Sequence, residues 1–130
     1  MDGLPAGAGE RGLWAERLAE AVLEAGGYHC LDRRFRAPGG EIDLVMRRGS
    51  VLAFVEVKAR RAGGAGPPEC FVDRAKRGRV RRAAAAWLAE RAAACGCRHD
   101  APEELRFDVV AIEYQGPGGG LDIRHLVGVF

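Results

Sequence analysis

The chain contains no run of residues long and apolar enough to cross a bilayer, and its start lacks a basic stretch followed by an apolar one. Met1 to Gly9 is instead rich in glycine, alanine and proline. It reads as a flexible N-terminus over 1–9, ahead of one domain over 10–130. A cytoplasmic location with no membrane association is expected. Cysteine is sparse, with four residues at Cys30, Cys70, Cys95 and Cys97. Cys95-Gly96-Cys97 with His99 nearby invites a zinc site, but a structural zinc site wants two well-spaced ligand pairs and the second is missing. In the cytoplasm all four are expected as reduced thiols. There is no internal repeat, no phosphate-binding glycine loop and no nucleophile signature, and His29 and His99 carry no partner pattern. Net charge is also small, at +2.

What is present is a hairpin pattern and an uneven distribution of charge. In the stretch from Gly40 to Lys58, Ile42, Leu44, Val55 and Val57 alternate with Glu41, Asp43, Glu56 and Lys58, the period-2 pattern of two strands. Arg48-Gly49-Ser50 supplies the turn. A loop of Gly49-Ser50 sets Asp43 opposite Glu56 and Glu41 opposite Lys58. The four polar side chains then share one face, with Val45, Leu52 and Phe54 further along it. Ile42, Leu44, Met46, Val51, Val55 and Val57 take the other face. A one-residue slip would put carboxylates beside Val55 and Val57, which the pattern forbids.

Opposed carboxylates lie roughly 5 Å apart and repel. A cation between them removes that cost, and Mg²⁺ or Mn²⁺ suits hard oxygen ligands supplied by one or two carboxylates. Lys58, two residues past Glu56, points the same way and can orient water or stabilise charge on phosphorus. Between Lys58 and Arg82, nine basic residues stand against Glu69 and Asp73 alone, a surplus of seven that leaves the rest of the chain net negative by five. A basic stripe beside an acidic site suits a polyanion, and Arg60, Arg61, Lys76 and Arg77 are the candidate phosphate contacts. The plainer alternative is a solvated helix face.

Other elements follow from periodicity. Leu13, Ala15, Leu18, Ala19, Val22 and Leu23 predict a helix from about Gly9 to Ala25, ended by Gly26-Gly27. Tyr28 to Arg36 predicts a strand in which Arg33, Arg34 and Arg36 are interleaved with Phe35, and Pro38-Gly39-Gly40 turns it into the hairpin as an antiparallel meander. Arg61 to Pro68 reads as a loop, either a flap over the site or a plain connection. A second helix is predicted from an Asp73 N-cap to about Ala94, with Val80, Ala83, Ala84, Trp87, Leu88 and Arg91 at helical spacing. Trp87 belongs to that stripe and reads as core. Strands are predicted over Leu105–Tyr114 and Leu121–Val127. Asp108 reads as a paired structural aspartate, and His125 as structural or surface.

Asp43 followed by Glu56-Val57-Lys58 resembles the PD-(D/E)XK pattern of restriction-endonuclease-like nucleases. The longer strings Gly40-Glu41-Ile42-Asp43-Leu44 and Phe54-Val55-Glu56-Val57-Lys58-Ala59-Arg60 are similar to the YraN-like family, bacterial proteins related in fold to archaeal Holliday-junction resolvases. Gly12-Leu13-Trp14-Ala15-Glu16-Arg17-Leu18-Ala19 and Arg124-His125-Leu126 resemble that family's opening and closing patterns. Two positions depart from it: Arg34-Phe35-Arg36 stands where Asn-Phe-Arg is usual, and Arg77 replaces the glutamine that commonly follows Lys76.

The resemblance implies an α/β, restriction-endonuclease-like fold with a central mixed five-stranded sheet flanked by helices. It implies Mg²⁺- or Mn²⁺-dependent hydrolysis of phosphodiester bonds in DNA, branched DNA included. Asp43 and Glu56 would hold the metal, Glu16 would complete the acidic cluster, and Lys58 would support the nucleophile. Cutting two strands would suit a homodimer, by analogy. Two other readings compete: a nucleic-acid-binding module with this fold and little catalysis, and a purely structural ion-pair cluster. The last ranks lowest because Lys58 alone cannot balance Glu41, Asp43 and Glu56.

Overall fold

The central hairpin forms in the expected register. In a computed structural model that describes residues 8–63, 73–95, 101–116 and 118–130, β2 (Gly40–Arg48) and β3 (Val51–Arg61) pair antiparallel, with Arg48 opposite Val51 and Leu44 opposite Val55. Gly49 takes the positive φ (59°) that the two-residue loop demands. β1 (His29–Ala37) pairs antiparallel with β2 on its other side.

Helix α1 (Ala8–Ala25) precedes these strands and α2 (Arg74–Cys95) follows them, and then come β4 (Glu104–Tyr114) and β5 (Leu121–Leu126). The five strands lie in chain order, β1 to β5. β4 runs parallel to β3, which a crossover through α2 makes possible, and β5 returns antiparallel. The result is the mixed five-stranded α/β sheet with flanking helices that was expected.

α1 lays Ala15, Ala19 and Leu23 against Leu44, Met46, Ala53, Val55, Val110 and Ile112. The stripe is narrower than the sequence pattern suggested, since Leu13 and Val22 are exposed. α2 packs Val80, Ala83, Ala84 and Trp87 on Ile42, Val45, Leu52 and Phe54. Leu52 to Glu56 of β3 are buried without interruption, as a strand covered on both faces requires. Trp87 is core, edge-on to Phe54, and its indole N–H donates to Asp32 at 3.1 Å. α1 ends in a Schellman turn at Gly26-Gly27, with Tyr28 N–H bonded to the Leu23 carbonyl at 3.1 Å. Asp73 caps α2 by accepting the Lys76 N–H at 2.8 Å.

One face assignment is corrected. Ile42 lies with the α2 cluster, whereas Leu44 and Met46 lie with α1. Alternation along β2 therefore breaks at Asp43. The ladder between β1 and β2 keeps its register from Arg33–Leu44 to Phe35–Ile42 but lacks the pair at this level, its register shift lying between Cys30 and Asp32. Arg34, the skipped residue of β1, takes a left-handed φ of 50°, the one such value among the described non-glycine residues. Gly40 has a different reason to be glycine. A Cβ there would stand 2.0 Å from the Arg79 carbonyl oxygen, so its absence lets β2 pass directly against α2.

The described residues contain no helix long and apolar enough to cross a membrane. Residues 1–7, most of the 61–68 loop and the Cys70, Cys97 and His99 positions lie outside the described residues. Ala8 and Gly9 are already helical, slightly ahead of the expected helix start.

Candidate functional site

The break at Asp43 creates the site. The ladder between β2 and β3 ends at Leu44–Val55, and the Asp43 carboxylate accepts the Val57 N–H at 2.8 Å. Beyond that level the strands no longer pair, and a cavity of about 480 Å³ opens at the end of the sheet between the two helices. Glu16 of α1, Asp43 of β2, Glu56 and Lys58 of β3 and Lys76 of α2 all line it, with Tyr114 at the far wall. Four candidates from distant parts of the chain, Glu16, Asp43, Glu56 and Lys58, thus meet in one cavity.

Glu56 is buried, 2% exposed. Its Oε1 lies 3.0 Å from Lys76 Nζ and 3.5 Å from Lys58 Nζ. Its Oε2 is buried with no hydrogen-bond partner. Burial first, and the Asp43 charge second, push the Glu56 carboxyl up to about 7 against the pull of the two lysines. Asp43 is also raised, chiefly by burial, with the Val57 N–H and Lys76 opposing. Glu16 is raised by burial and by Asp43, although Arg34 Nε donates to it at 2.7 Å. Burial pulls the Lys76 ammonium down, but Glu56, Asp43 and Glu41 outweigh it and its pKa ends raised.

The basic candidates do not form a single free surface. Lys76 turns inward, its side chain 16% exposed, and also lies 3.8 Å from Glu41. Arg60 pairs with Glu113 at 3.1 Å. Arg61 is exposed at the end of β3, and Arg77 is half-buried in the first turn of α2. Glu41 meets Lys76 and Arg36, each at 3.8 Å, rather than the Lys58 assigned by simple register. Against Glu41, Asp43 and Glu56 the cluster therefore sets Lys76 and Arg36 besides Lys58, while Arg34 pairs with Glu16. That removes the charge-count objection to a purely structural ion-pair cluster.

Asp108 is fully buried on β4, yet its carboxylate takes Arg106 Nη2 at 2.9 Å, His125 Nε2 at 2.7 Å and the Gly128 N–H at 2.9 Å. Burial would raise its pKa, but those partners hold it below the ordinary carboxylate range. A carboxylate built for structure is saturated in this way, and Asp108 and His125 have the structural roles expected of them. Glu16, Asp43 and Glu56 differ: all three have raised pKa values, and one Glu56 oxygen is buried without a partner, which makes the cluster a candidate site.

The donor set suits a divalent cation of the Mg²⁺ or Mn²⁺ type. Asp43 and Glu56 offer hard carboxylate oxygens, one of them unpaired, and such ions commonly take one or two protein carboxylates with the rest from water and phosphate. Among the described residues, no three His, Cys, Asp or Glu side chains converge as a ready-made ligand cage. Glu16 sits in the wall between this cavity and a second of about 360 Å³, which Arg17, Arg33 and Arg34 also line.

The inward turn of Lys76 and the Arg34 hydrogen bond to Glu16 are not readable from the sequence. By charge pattern alone Lys76 is one more member of the basic stripe. Arg33-Arg34 did carry a signal, because two adjacent arginines interrupt the alternation of a strand.

Residues 15–112, most of the chain, match the model of "Uncharacterised protein family UPF0102". The chain belongs to that family. A Beutenbergia cavernae member is 44% identical over 119 residues, covering 91% of this chain and 93% of the relative. A Methylorubrum extorquens member is 56% identical over 102 residues, covering 78% and 73%. One from an Anaeromyxobacter species is 43% identical over 108 residues, covering 83% and 76%. All three bear the family's name alone, so membership bears out the YraN-like resemblance without supplying a reaction. The matched residues contain Glu16, Asp43, Glu56, Lys58 and Lys76.

Proposed function

We propose that the chain is a restriction-endonuclease-like, metal-dependent nuclease of the cytoplasm that hydrolyses phosphodiester bonds in DNA. The observation that carries this is the Glu56 carboxylate, buried at the mouth of β3 beside Asp43, with one oxygen unpartnered and a cavity in front of it. Asp43 and Glu56 would hold Mg²⁺ or Mn²⁺, with Glu16 acting from the cavity wall. When bound, such an ion supplies Lewis-acid activation of water and neutralises charge developing on the phosphate.

The chain's own residues do the rest. The Val57 N–H fixes the Asp43 carboxylate. Lys58, a third exposed and 3.5 Å from Glu56, can donate to the attacking water or to a phosphate oxygen. Arg61 at the end of β3 and Arg77 in the first turn of α2 lie on the elements that carry Lys58 and Lys76, and with Arg60 they would hold the nucleic-acid backbone. Cleavage of both strands of a duplex would take two copies of the chain.

The two lysines already held on Glu56 Oε1 favour a second reading, in which the fold binds nucleic acid without cutting it. Calorimetric titration with Mn²⁺, followed by incubation with linear, flapped and four-way-junction DNAs, separates the two. Wild type should bind Mn²⁺ and cut at least one DNA, and Asp43→Ala should do neither. DNA binding that falls steeply with salt, with no cleavage of any substrate, establishes the binding module instead.

A further inference from the structure

We propose that Lys76 is a resident counter-cation of the carboxylate site, which a divalent ion must displace on binding. The inference rests on the metal-site reading above and assigns Lys76 a role other than surface contact with DNA. Of the basic residues around it, Arg74, Arg79, Arg81 and Arg82 are exposed and Arg77 is half-buried, whereas Lys76 lines the cavity. Its ammonium lies 3.0 Å from Glu56 Oε1 and 3.8 Å from Glu41 Oε1.

Lys58 approaches the same Glu56 oxygen at 3.5 Å. Two ammonium groups therefore crowd one carboxylate oxygen while Oε2 has none. Such uneven pairing is a poor resting state for a structural ion pair, whose remaining lone pairs need partners. A lysine does suit a temporary role there. It is a compact charge on a flexible four-carbon stem, able to leave without moving the backbone.

The backbone at Lys76 is anchored independently, because its N–H is bonded to the Asp73 carboxylate at 2.8 Å. The side chain can therefore exchange while α2 stays capped. The cavity of about 480 Å³ gives the displaced ammonium room beside the carboxylates, where a phosphate oxygen would be its next partner. Lys76 would then couple arrival of the metal to capture of the substrate.

The test is a calorimetric Mn²⁺ titration of the full chain at one pH and one ionic strength. It compares wild type with Lys76→Met, Lys76→Gln, Lys76→Arg and Asp43→Ala. The two neutral variants should bind Mn²⁺ about tenfold or more tightly than wild type, since a competing charge a few ångströms away is gone. Lys76→Arg should restore weak binding. In metal-free melts the neutral variants should have the lower Tm, and Mn²⁺ should raise it more than in wild type. A lysine that merely supports the site predicts the opposite sign, so neutral variants that bind Mn²⁺ no better than wild type overturn the inference. If wild type and Asp43→Ala take up Mn²⁺ alike, the metal-site reading itself falls. If Lys76→Met fails to fold, the near-isosteric Lys76→Gln decides the matter.

Discussion

Replacing Glu56 by glutamine should make the metal-free protein more stable at neutral and alkaline pH. The folded chain holds the Glu56 proton to about pH 7, against an ordinary value of 4.5 in an unfolded chain. Between those limits the folded state binds the extra proton, so stability falls as pH rises. At about 1.4 kcal/mol per pH unit, ionised Glu56 costs the fold about 3 kcal/mol once the pH exceeds 7. Glutamine keeps the shape and cannot ionise, and Lys76 retains Glu41 and Asp43 as partners. In a domain of this size, about 3 kcal/mol corresponds to roughly 10 °C in Tm. The assay is urea and thermal unfolding of wild type and Glu56→Gln in chelator from pH 4 to 9. The two should coincide near pH 4 and separate above it, with the variant ahead by about 3 kcal/mol at pH 8. Mn²⁺ should then raise wild type toward the variant and leave the variant unmoved. A wild type as stable as Glu56→Gln at pH 8 refutes the reasoning. It would mean that Lys58 and Lys76 fully compensate the carboxylate and that the cluster is structural.

Lys58→Met should leave Mn²⁺ affinity nearly intact, because lysine is not a ligand, while DNA cleavage falls about a hundredfold; cleavage at the wild-type rate removes its catalytic role. Asp108→Asn should destabilise the fold by about 3 kcal/mol or more, since it breaks a saturated buried network, and urea unfolding reads the loss directly. The Asp108 carboxylate is held below its ordinary value of 3.8, so its contribution is present above that pH and is lost as pH falls through the lowered value. Gly40→Ala should lower the urea midpoint strongly, because its Cβ would meet the Arg79 carbonyl at 2.0 Å and force β2 away from α2. A midpoint within experimental error of wild type would show that this close approach can relax.

The elements and the paired centre of the sheet are legible in the amino-acid sequence. Strand alternation, the Gly49 turn, the Gly26-Gly27 ending and the Asp73 cap act over a few residues, so their signals lie next to one another in the chain. The hairpin register followed from those signals as far as Leu44–Val55. Family patterns brought Glu16 to attention, and it does line the cavity with Asp43, Glu56 and Lys58.

Tertiary structure alone decided how those groups sit. The alternation breaks at Asp43, at the level where β1 holds Arg34 in a left-handed φ, so the break is shared by two strands. Lys76 enters the cluster because α2 lies close over β2, a closeness that requires the bare backbone of Gly40. Whether Lys76 faces solvent or Glu56 depends on how a helix packs on a sheet some 20 residues away in the chain, and local charge patterning carries no record of that distance. The raised pKa of Glu56 has the same origin: burial depth and a neighbouring charge are properties of the assembled cavity, whereas the residue's own letter reports only that a carboxylate is present.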